Sequence, residues 1–230
     1  MNPTLLPNDF VGISFWLATA TMLASTVFFL LERQDVNKNW KTSLSVAALV
    51  TGIAFWHYLY MRNVWILTQS TPTVLRYIDW FITVPLQIIE FYLILKAVTH
   101  VTSQLFWKLL TASIIMLIFG FLGETESINS YVGFVVGVFA WLYILYEIFV
   151  GEAAKANASS NNPSSQFAFN TIKWIVTLGW AIYPLGYFLG YLNSTVSLNS
   201  LNIIYNIADL VNKAAFGLAI WYAATTDSKK

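Results

Sequence analysis

Five ionisable residues stand inside strongly apolar stretches of the chain: Arg76, Asp79, Glu90, Asp209 and Lys213. A charge at the centre of a bilayer costs roughly 3 kcal/mol on insertion scales, so such a residue is a candidate for function. Neighbouring carboxyl and amino groups can exchange protons, and a buried amine can also attack an aldehyde to form a Schiff base. The structural alternative is an ion pair that holds two helices together, and these residue types alone favour neither interpretation.

Spacing predicts which of these residues share a helix face. Glu90 follows Asp79 by eleven residues, which at about 100° per residue places the two within about 20° of each other, with Thr83 on the same flank. At about 1.5 Å per residue, the two carboxyl groups lie about 16 Å apart along the helix axis. Asp209 precedes Lys213 by one turn, so these two can share a face and partly compensate each other's charge.

Composition indicates a membrane protein. Of the 230 residues, 57% are hydrophobic and 10% are charged, against roughly a quarter charged in a soluble domain. Twelve Lys and Arg balance eleven Asp and Glu, so no basic excess favours nucleic acid. The absence of cysteine excludes disulfides and thiolate chemistry, and two histidines give little support for a metal site. The short segment before Asp9 lacks the features of a cleavable signal peptide.

The hydrophobic stretches predict an all-α bundle of seven transmembrane helices, since a bilayer core takes about 20 apolar residues to cross. We expect a single domain over residues 1–230. The connectors Glu32–Trp40, Glu124–Ser130 and Gly151–Gln166 have the composition of loops. The predicted spans are 10–31, 43–61, 74–98, 105–122, 131–150, 167–191 and 200–225.

Basic residues are concentrated at one side of the predicted bundle. They lie at the ends that follow helices 1, 3, 5 and 7, whereas Arg62 alone lies on the other side. Cytoplasmic loops hold an excess of Lys and Arg, so we expect the N-terminus outside and the C-terminus in the cytoplasm. Helix 3 then runs inward, with Asp79 toward the outside and Glu90 toward the inside.

Aromatic residues lie close to these charges in the predicted bundle. Trp180, Tyr183 and Tyr187 recur at helical spacing around Pro184, and Trp80 follows Asp79. Any one of these rings alone is more commonly explained by core packing or by an interfacial belt. Their placement beside a buried lysine and two buried carboxylates predicts a pocket for a long conjugated ligand between helices.

Four segments resemble one known family. The third and seventh predicted helices resemble those of proteorhodopsins, bacterial members of the microbial rhodopsins. The segment in helix 3 is Arg76-Tyr77-Ile78-Asp79-Trp80-Phe81-Ile82-Thr83-Val84-Pro85-Leu86-Gln87-Ile88-Ile89-Glu90, and the segment in helix 7 is Tyr205-Asn206-Ile207-Ala208-Asp209-Leu210-Val211-Asn212-Lys213. Phe55-Trp56-His57-Tyr58 and Gly179-Trp180-Ala181-Ile182-Tyr183-Pro184 resemble helices 2 and 6. The resemblance extends over essentially the whole chain.

The resemblance implies a role for each buried charge. Lys213 would bind all-trans retinal as a Schiff base, with Asp79 as primary counterion and proton acceptor. Asp209 would be the second counterion, Arg76 would lie just outside the pair, and Glu90 would be the cytoplasmic proton donor.

Further residues acquire roles only through the resemblance. Thr83 completes the Asp, Thr, Glu triplet of proton pumps, and His57 matches the histidine that hydrogen-bonds the acceptor. Gln87 matches the position at which glutamine accompanies blue absorption and leucine green, which implies the blue-absorbing type. Trp80, Trp180, Tyr183 and Tyr187 would contact retinal. A homo-oligomeric ring of five or six chains in the bacterial inner membrane is also implied.

Together these features predict a light-driven outward proton pump, a transporter and not an enzyme. Apolar surroundings are expected to keep Glu90 protonated at rest. A slow sensory rhodopsin that signals to a transducer is the main alternative, and Glu90 argues against it; Asp79 disfavours a chloride pump, and the triplet disfavours a sodium pump. A receptor for a diffusible ligand would not need Lys213, and a transporter usually shows broken or repeated helices.

Three carboxylates have no assigned role at this point. Glu124 and Glu126 are expected to be solvated loop residues, with a proton-release path as the alternative. Glu147, near the inner end of helix 5, faces an unknown partner.

Overall fold

The computed structural model describes residues 5–229, and within them every regular element is helical. The first five long helices are α1 (Phe10–Glu32), α2 (Lys41–Thr68), α3 (Thr73–Val98), α4 (Ser103–Glu124) and α5 (Ser130–Phe149). A short helix α6 (Glu152–Ser159) follows. Three-residue 3₁₀ turns, Arg33–Asp35 and Lys38–Trp40, connect α1 to α2.

The last two spans are helices interrupted by π-helical turns. The sixth span consists of α7 (Pro163–Trp174), a π segment (Ile175–Gly179), α8 (Ile182–Tyr187) and a second π segment (Phe188–Leu192). The seventh span consists of α9 (Leu198–Leu210), a π segment (Val211–Ala215) and α10 (Phe216–Ser228). Seven helical stretches are thus long and apolar enough to cross a membrane, as the composition predicts.

The prediction that residues 151–166 form a loop was wrong. Glu152–Ser159 is helical because its alanine-rich sequence has high helix propensity. Asn161, which has a left-handed backbone (φ 51°), follows that helix. α7 begins two residues later, with Pro163 in its first turn. The Asn162 side chain caps this helix by accepting from the amide of Ser165 at 2.9 Å.

The second span also continues beyond its predicted end at residue 61, to Thr68. Arg62, which marked the predicted end, lies within the helix, and its guanidinium sits 3.9 Å from the centre of the Trp16 ring. A long basic side chain can reach along the bundle surface in this way while its backbone remains helical.

The outer surface of the bundle is apolar, and its hydrophobic interior contains a cluster of buried polar side chains. Neighbouring helices pack in sequence order, and the seventh span closes the bundle against α1 and α2. Leucines, valines and aromatic residues cover the outer surface, whereas buried polar side chains cluster on α3 and the seventh span. An apolar outer surface with charged groups kept in the interior is expected when lipid and not water surrounds the protein. The buried polar positions on these two elements are Arg76, Asp79, Thr83, Gln87, Glu90, Asn202, Asn206, Asp209, Asn212 and Lys213.

At the end of the bundle that holds the C-terminus, Asp227 joins three parts of the chain. Its carboxylate accepts hydrogen bonds from the Trp40 indole at 2.9 Å and from the Asn162 amide at 3.1 Å. The start of α2, the start of α7 and the end of α10 are therefore held together at this end.

Candidate functional site

Lys213 forms a buried ion triad with the two aspartates. Its Nζ donates to Asp79 Oδ2 and to Asp209 Oδ2, the latter at 3.1 Å. Asp79 and Asp209 are fully buried, and Lys213 is 3% exposed. The structure therefore brings together the three charges that spacing alone placed on two separate helices.

The two aspartates differ in how well their oxygens are satisfied. Asp209 accepts from the hydroxyls of Tyr58 at 2.9 Å and Tyr183 at 2.6 Å, and from the Trp80 indole at 3.3 Å. Asp79 Oδ1, in contrast, has no hydrogen-bond donor within the described part of the chain. Asp209 is therefore the better hydrogen-bonded of the two carboxylates, and Asp79 keeps one oxygen without a donor in residues 5–229.

Arg76 is buried one turn from Asp79 and is held by neutral side chains. Its Nη2 donates to the amide oxygens of Asn202 at 3.1 Å and Asn206 at 3.0 Å, and Asn206 in turn donates to Ser14 at 2.9 Å. Its Nε and Nη1 are buried without a partner in residues 5–229. The guanidinium is thus fixed beside the triad without a direct salt bridge to it.

His57 lies near Asp79 but does not make the hydrogen bond that the resemblance implied. Its Nδ1 is 3.6 Å from Asp79 Oδ1, beyond hydrogen-bond range. Instead, Nδ1 is 2.9 Å from the carbonyl of Ile53, one turn earlier in α2. A carbonyl oxygen can only accept, so this contact uses the Nδ1 proton.

Glu90 is fully buried at the far end of the same face of α3. Neither of its carboxyl oxygens has a hydrogen-bond partner among residues 5–229. Thr83, between the two carboxylates, is also buried, but its hydroxyl donates to the backbone carbonyl of Asp79 at 2.9 Å and not to a carboxylate. Glu90 is thus a carboxyl group in the interior of the span, well separated along α3 from the Lys213 triad.

Lys213 lines a cavity in the interior of the bundle. Every aromatic residue predicted to contact a ligand lines it, as does Gln87; the full predicted set is Trp80, Gln87, Trp180, Tyr183, Tyr187 and Lys213. Further lining residues come from α4 and α5, where only ordinary apolar residues mark the sequence; they include Met116, Leu117, Phe134, Val138 and Trp141. Most lining residues are apolar or aromatic, and the lining also contains the polar side chains of Gln87, Glu124 and Lys213.

Two π segments meet beside Lys213. Lys213 lies at the centre of the π segment Val211–Ala215. Its neighbour Asn212 donates to the carbonyl of Gly179, in the π segment of the sixth span, at 3.0 Å. Gln87 of α3 donates to the backbone carbonyl of Asn212 at 2.9 Å. Isolated π turns are common at functional sites, and here side chains from other helices bond their backbone.

The structure changes the interpretation of Glu124 and gives Glu147 a partner. Glu124 is the last residue of α4, lines the cavity and accepts a hydrogen bond from Tyr77 at 2.9 Å, so the expectation of a solvated loop residue was wrong. Glu126 is exposed in the following turn. Glu147 is buried 3.6 Å from the Lys108 ammonium and accepts from the backbone amide of Glu152 at 3.0 Å.

A bundle of seven apolar helices around an interior cavity with a buried lysine defines the class as seven-helix membrane proteins with an interior ligand site. The family model described as "Bacteriorhodopsin-like protein" matches residues 9–227. The chain therefore belongs to the bacteriorhodopsin-like family, the microbial rhodopsins.

Within this family the chain is similar to proteorhodopsins. It is 54% identical to the green-light absorbing proteorhodopsin of gamma-proteobacterium EBAC31A08, over 96% of this chain and 89% of the relative. It is 55% identical to the blue-light absorbing proteorhodopsin of gamma-proteobacterium Hot 75m4, over 96% and 88%. The crystal structure of blue light-absorbing proteorhodopsin from Med12 superposes with a TM-score of 0.84 and 63% identity, covering 95% of this chain and 99% of the other.

The family implies a retinal chromophore, and the residues present fit one. Lys213 supplies an amine at the wall of the cavity, and rings from α3 and the sixth span line the space that extends from it. Gly133 and Gly137 of α5 also line the cavity and let α5 approach the backbone of α4 closely. An apolar molecule with one group that reacts with an amine matches this lining.

Sequence reasoning missed several residues of the site. Tyr58 directly follows His57 in a segment that carried the resemblance, yet it had no assigned role. Asn202 and Asn206 are polar residues one turn apart in an apolar span, on the same face as Asp209, and that periodicity could have identified them. No comparable local pattern marks Tyr77, whose contacts depend on where α4 packs against α3.

Proposed function

We propose that the protein is a light-driven outward proton pump that carries all-trans retinal on Lys213. The observation that carries the proposal is the ion triad of one lysine and two unequally satisfied carboxylates at the end of an apolar cavity. The proteorhodopsin relatives support the same function. Retinal bound to Lys213 would supply light absorption, and the Lys213 nitrogen would then lose its proton more readily after illumination.

Asp79 is the proposed proton acceptor and primary counterion. It contacts Lys213 directly, and one of its oxygens has no competing donor in the described chain. Asp209, with three further donors, is the proposed second counterion and stays ionised. Arg76 stabilises both anions from its fixed position, and His57 lies close enough to influence the charge on Asp79.

Glu90 is the proposed proton donor. Its burial without partners keeps a proton on it at rest, and its position on the same face of α3 lets it return that proton toward Lys213. A sensory rhodopsin acting through a transducer is the alternative function, and a carboxyl donor at this position favours the pump.

The proposed direction of transport follows from the basic residues, which place the N-terminus outside and the C-terminus in the cytoplasm. Residues 1–230 then form one domain in the inner membrane of a bacterium. A homo-oligomeric ring of five or six chains is part of the proposal on resemblance alone.

The test is to express the chain with all-trans retinal in an unbuffered cell suspension and to record external pH under illumination. Acidification that a protonophore abolishes supports outward pumping. Asp79→Asn and Glu90→Gln should each slow it by about 10²-fold or more, as loss of a positioned proton-transfer group does, while Glu126→Gln in the exposed turn should not. A coloured membrane without a pH change would favour the sensor, and Lys213→Ala should abolish the colour.

We also propose the blue-absorbing type, on the basis of Gln87. Its amide lines the cavity and bonds the backbone beside Lys213. Gln87→Leu should shift the absorption maximum to longer wavelength, measured on the purified pigment. Thr111→Leu, a substitution on α4 at the outer face of the bundle, is the control; a maximum that Gln87→Leu leaves in place would contradict the assignment.

A further inference from the structure

Glu124 is a carboxylate that lines the ligand cavity but has no part in the proposed pathway. It ends α4 at the side of the bundle where α3 begins, which is the proposed outer side. Its Oε1 accepts the hydroxyl proton of Tyr77 at 2.9 Å. Glu124 therefore lies between the cavity and the outer end of its membrane span.

Aromatic contacts connect Glu124 to the ion triad. The Tyr77 ring packs edge-on against Trp80, with 5.0 Å between ring centres. The Trp80 indole in turn donates to Asp209 Oδ1 at 3.3 Å. Glu124 is therefore connected to Asp209 of the triad through Tyr77 and Trp80, two side chains on α3.

Gly120 makes this contact possible. It lies one turn before Glu124 on α4, and a Cβ atom there would be 3.0 Å from the Tyr77 hydroxyl oxygen. That distance is tighter than ordinary packing, so a larger residue would push the hydroxyl away from Glu124. The glycine keeps open the approach that the Tyr77–Glu124 hydrogen bond requires.

A carboxylate at position 124 is not required if its only role is to accept the Tyr77 hydroxyl. An amide or a backbone carbonyl accepts a tyrosine hydroxyl equally well, without the desolvation cost that a partly buried ionisable group carries. Next to Tyr77, Arg76 keeps Nε and Nη1 buried and unpartnered in the described chain, and such donors in protein interiors are ordinarily bonded to water.

We propose that Glu124 is the outer proton-relay residue, which takes the proton from Asp79 and passes it to the external solution. The inference rests on the proposed pump function. Water carries the proton from the Asp79 carboxyl to the Glu124 carboxylate, which restores Asp79 as an anion and makes Glu124 neutral. Glu124 then loses the same proton to bulk water, so that one proton leaves the protein and both carboxylates return to their initial charge.

The experiment times proton release after a laser flash, with a pH-sensitive dye outside vesicles that contain the full chain with retinal. Time-resolved infrared spectroscopy follows the C=O band of protonated Asp79 in the same samples. Glu124→Gln should delay release at least tenfold and prolong the Asp79 band equally, and Glu124→Asp should restore most of the rate. Glu126→Gln, two residues further along, is the matched control and should behave as the unmodified protein.

Release and Asp79 decay at unmodified rates in Glu124→Gln would overturn the inference. If Glu124→Gln does not form pigment, Tyr77→Phe replaces it; this variant keeps the carboxylate, removes its donor and should change both rates several-fold, and unchanged rates there would equally reject the relay. Failure of the proposed function is distinct, because the unmodified protein would then release no protons in light.

Discussion

At the scale of single residues, the site separates the roles of two chemically identical side chains. Asp79 and Asp209 both contact Lys213, but only Asp209 also binds two tyrosine hydroxyls and an indole. Hydrogen-bond donors favour a carboxylate over its protonated form. The difference between the proposed acceptor Asp79 and the proposed counterion Asp209 therefore rests on Tyr58, Trp80 and Tyr183.

Tyr183→Phe tests this view of Asp209. The Tyr183 hydroxyl donates to Asp209 and also accepts from the Asn212 amide at 3.1 Å. Because hydrogen bonds to a charged group are worth about 1.5–3 kcal/mol, we expect a loss of that size in the free energy of unfolding. The measurement is SDS-induced unfolding followed by the visible band. Tyr222→Phe, at an exposed position, should lose little; equal stability of the two variants would show that the Tyr183 hydroxyl contributes nothing.

At the scale of elements, the sixth and seventh spans contact each other through their π turns. Each contains a π turn, and the Asn212 side chain from one bonds the Gly179 carbonyl of the other at 3.0 Å. α3 completes the contact through Gln87. Lys213 thus projects from a backbone segment that three spans hold in place, which fixes the direction of its side chain relative to the cavity.

Gly179→Ala tests the contact between the two π turns. A Cβ atom at position 179 would lie 2.9 Å from Asn212 Cγ, so the asparagine must move and lose its hydrogen bond. Overpacking of this kind typically costs about 1–3 kcal/mol. We expect the variant to lose that much stability and to shift the absorption maximum, because Lys213 adjoins Asn212.

Gly52→Ala is the matched control for this substitution. Its Cβ would meet only the Thr26 side chain, with Cγ2 at 3.2 Å and Oγ1 at 3.6 Å, and Thr26 does not line the cavity. Alanine also favours a helix more than glycine does. A Gly179→Ala variant as stable as Gly52→Ala and with an unchanged spectrum would mean that the two π turns tolerate separation.

At the scale of the whole molecule, the lack of cysteine makes the proposed orientation directly measurable. Single cysteines can be placed in the exposed turn after α4, as Glu126→Cys, and on the exposed side of α6, as Ala158→Cys. With intact cells and a membrane-impermeant maleimide, we expect only Glu126→Cys to react. After permeabilisation both should react, which controls for accessibility. Labelling of Ala158→Cys alone in intact cells would reverse the orientation and the direction of pumping.

The number of spans and the identity of the buried charges were predictable from sequence for one physical reason. A bilayer demands long apolar stretches and penalises every charge within them, so both features are visible without any tertiary contact. Span ends were less predictable. Arg62 lies within α2, where its charged side chain packs over Trp16 at the bundle surface. Residues 152–159 are helical on local propensity within a segment whose polar composition indicated a loop.

By itself, the sequence determined seven membrane helices, the file of Asp79 and Glu90 on α3, and the pairing of Asp209 with Lys213, because helix periodicity and the cost of buried charge are local properties. The tertiary structure alone decided which donors bind Asp209 and that the Nδ1 of His57 contacts the Ile53 carbonyl and not Asp79. It also decided that Glu124 lines the cavity and accepts a hydrogen bond from Tyr77. Those features depend on distances between spans far apart in the chain. Packing geometry sets such distances, and no local pattern of residues records them.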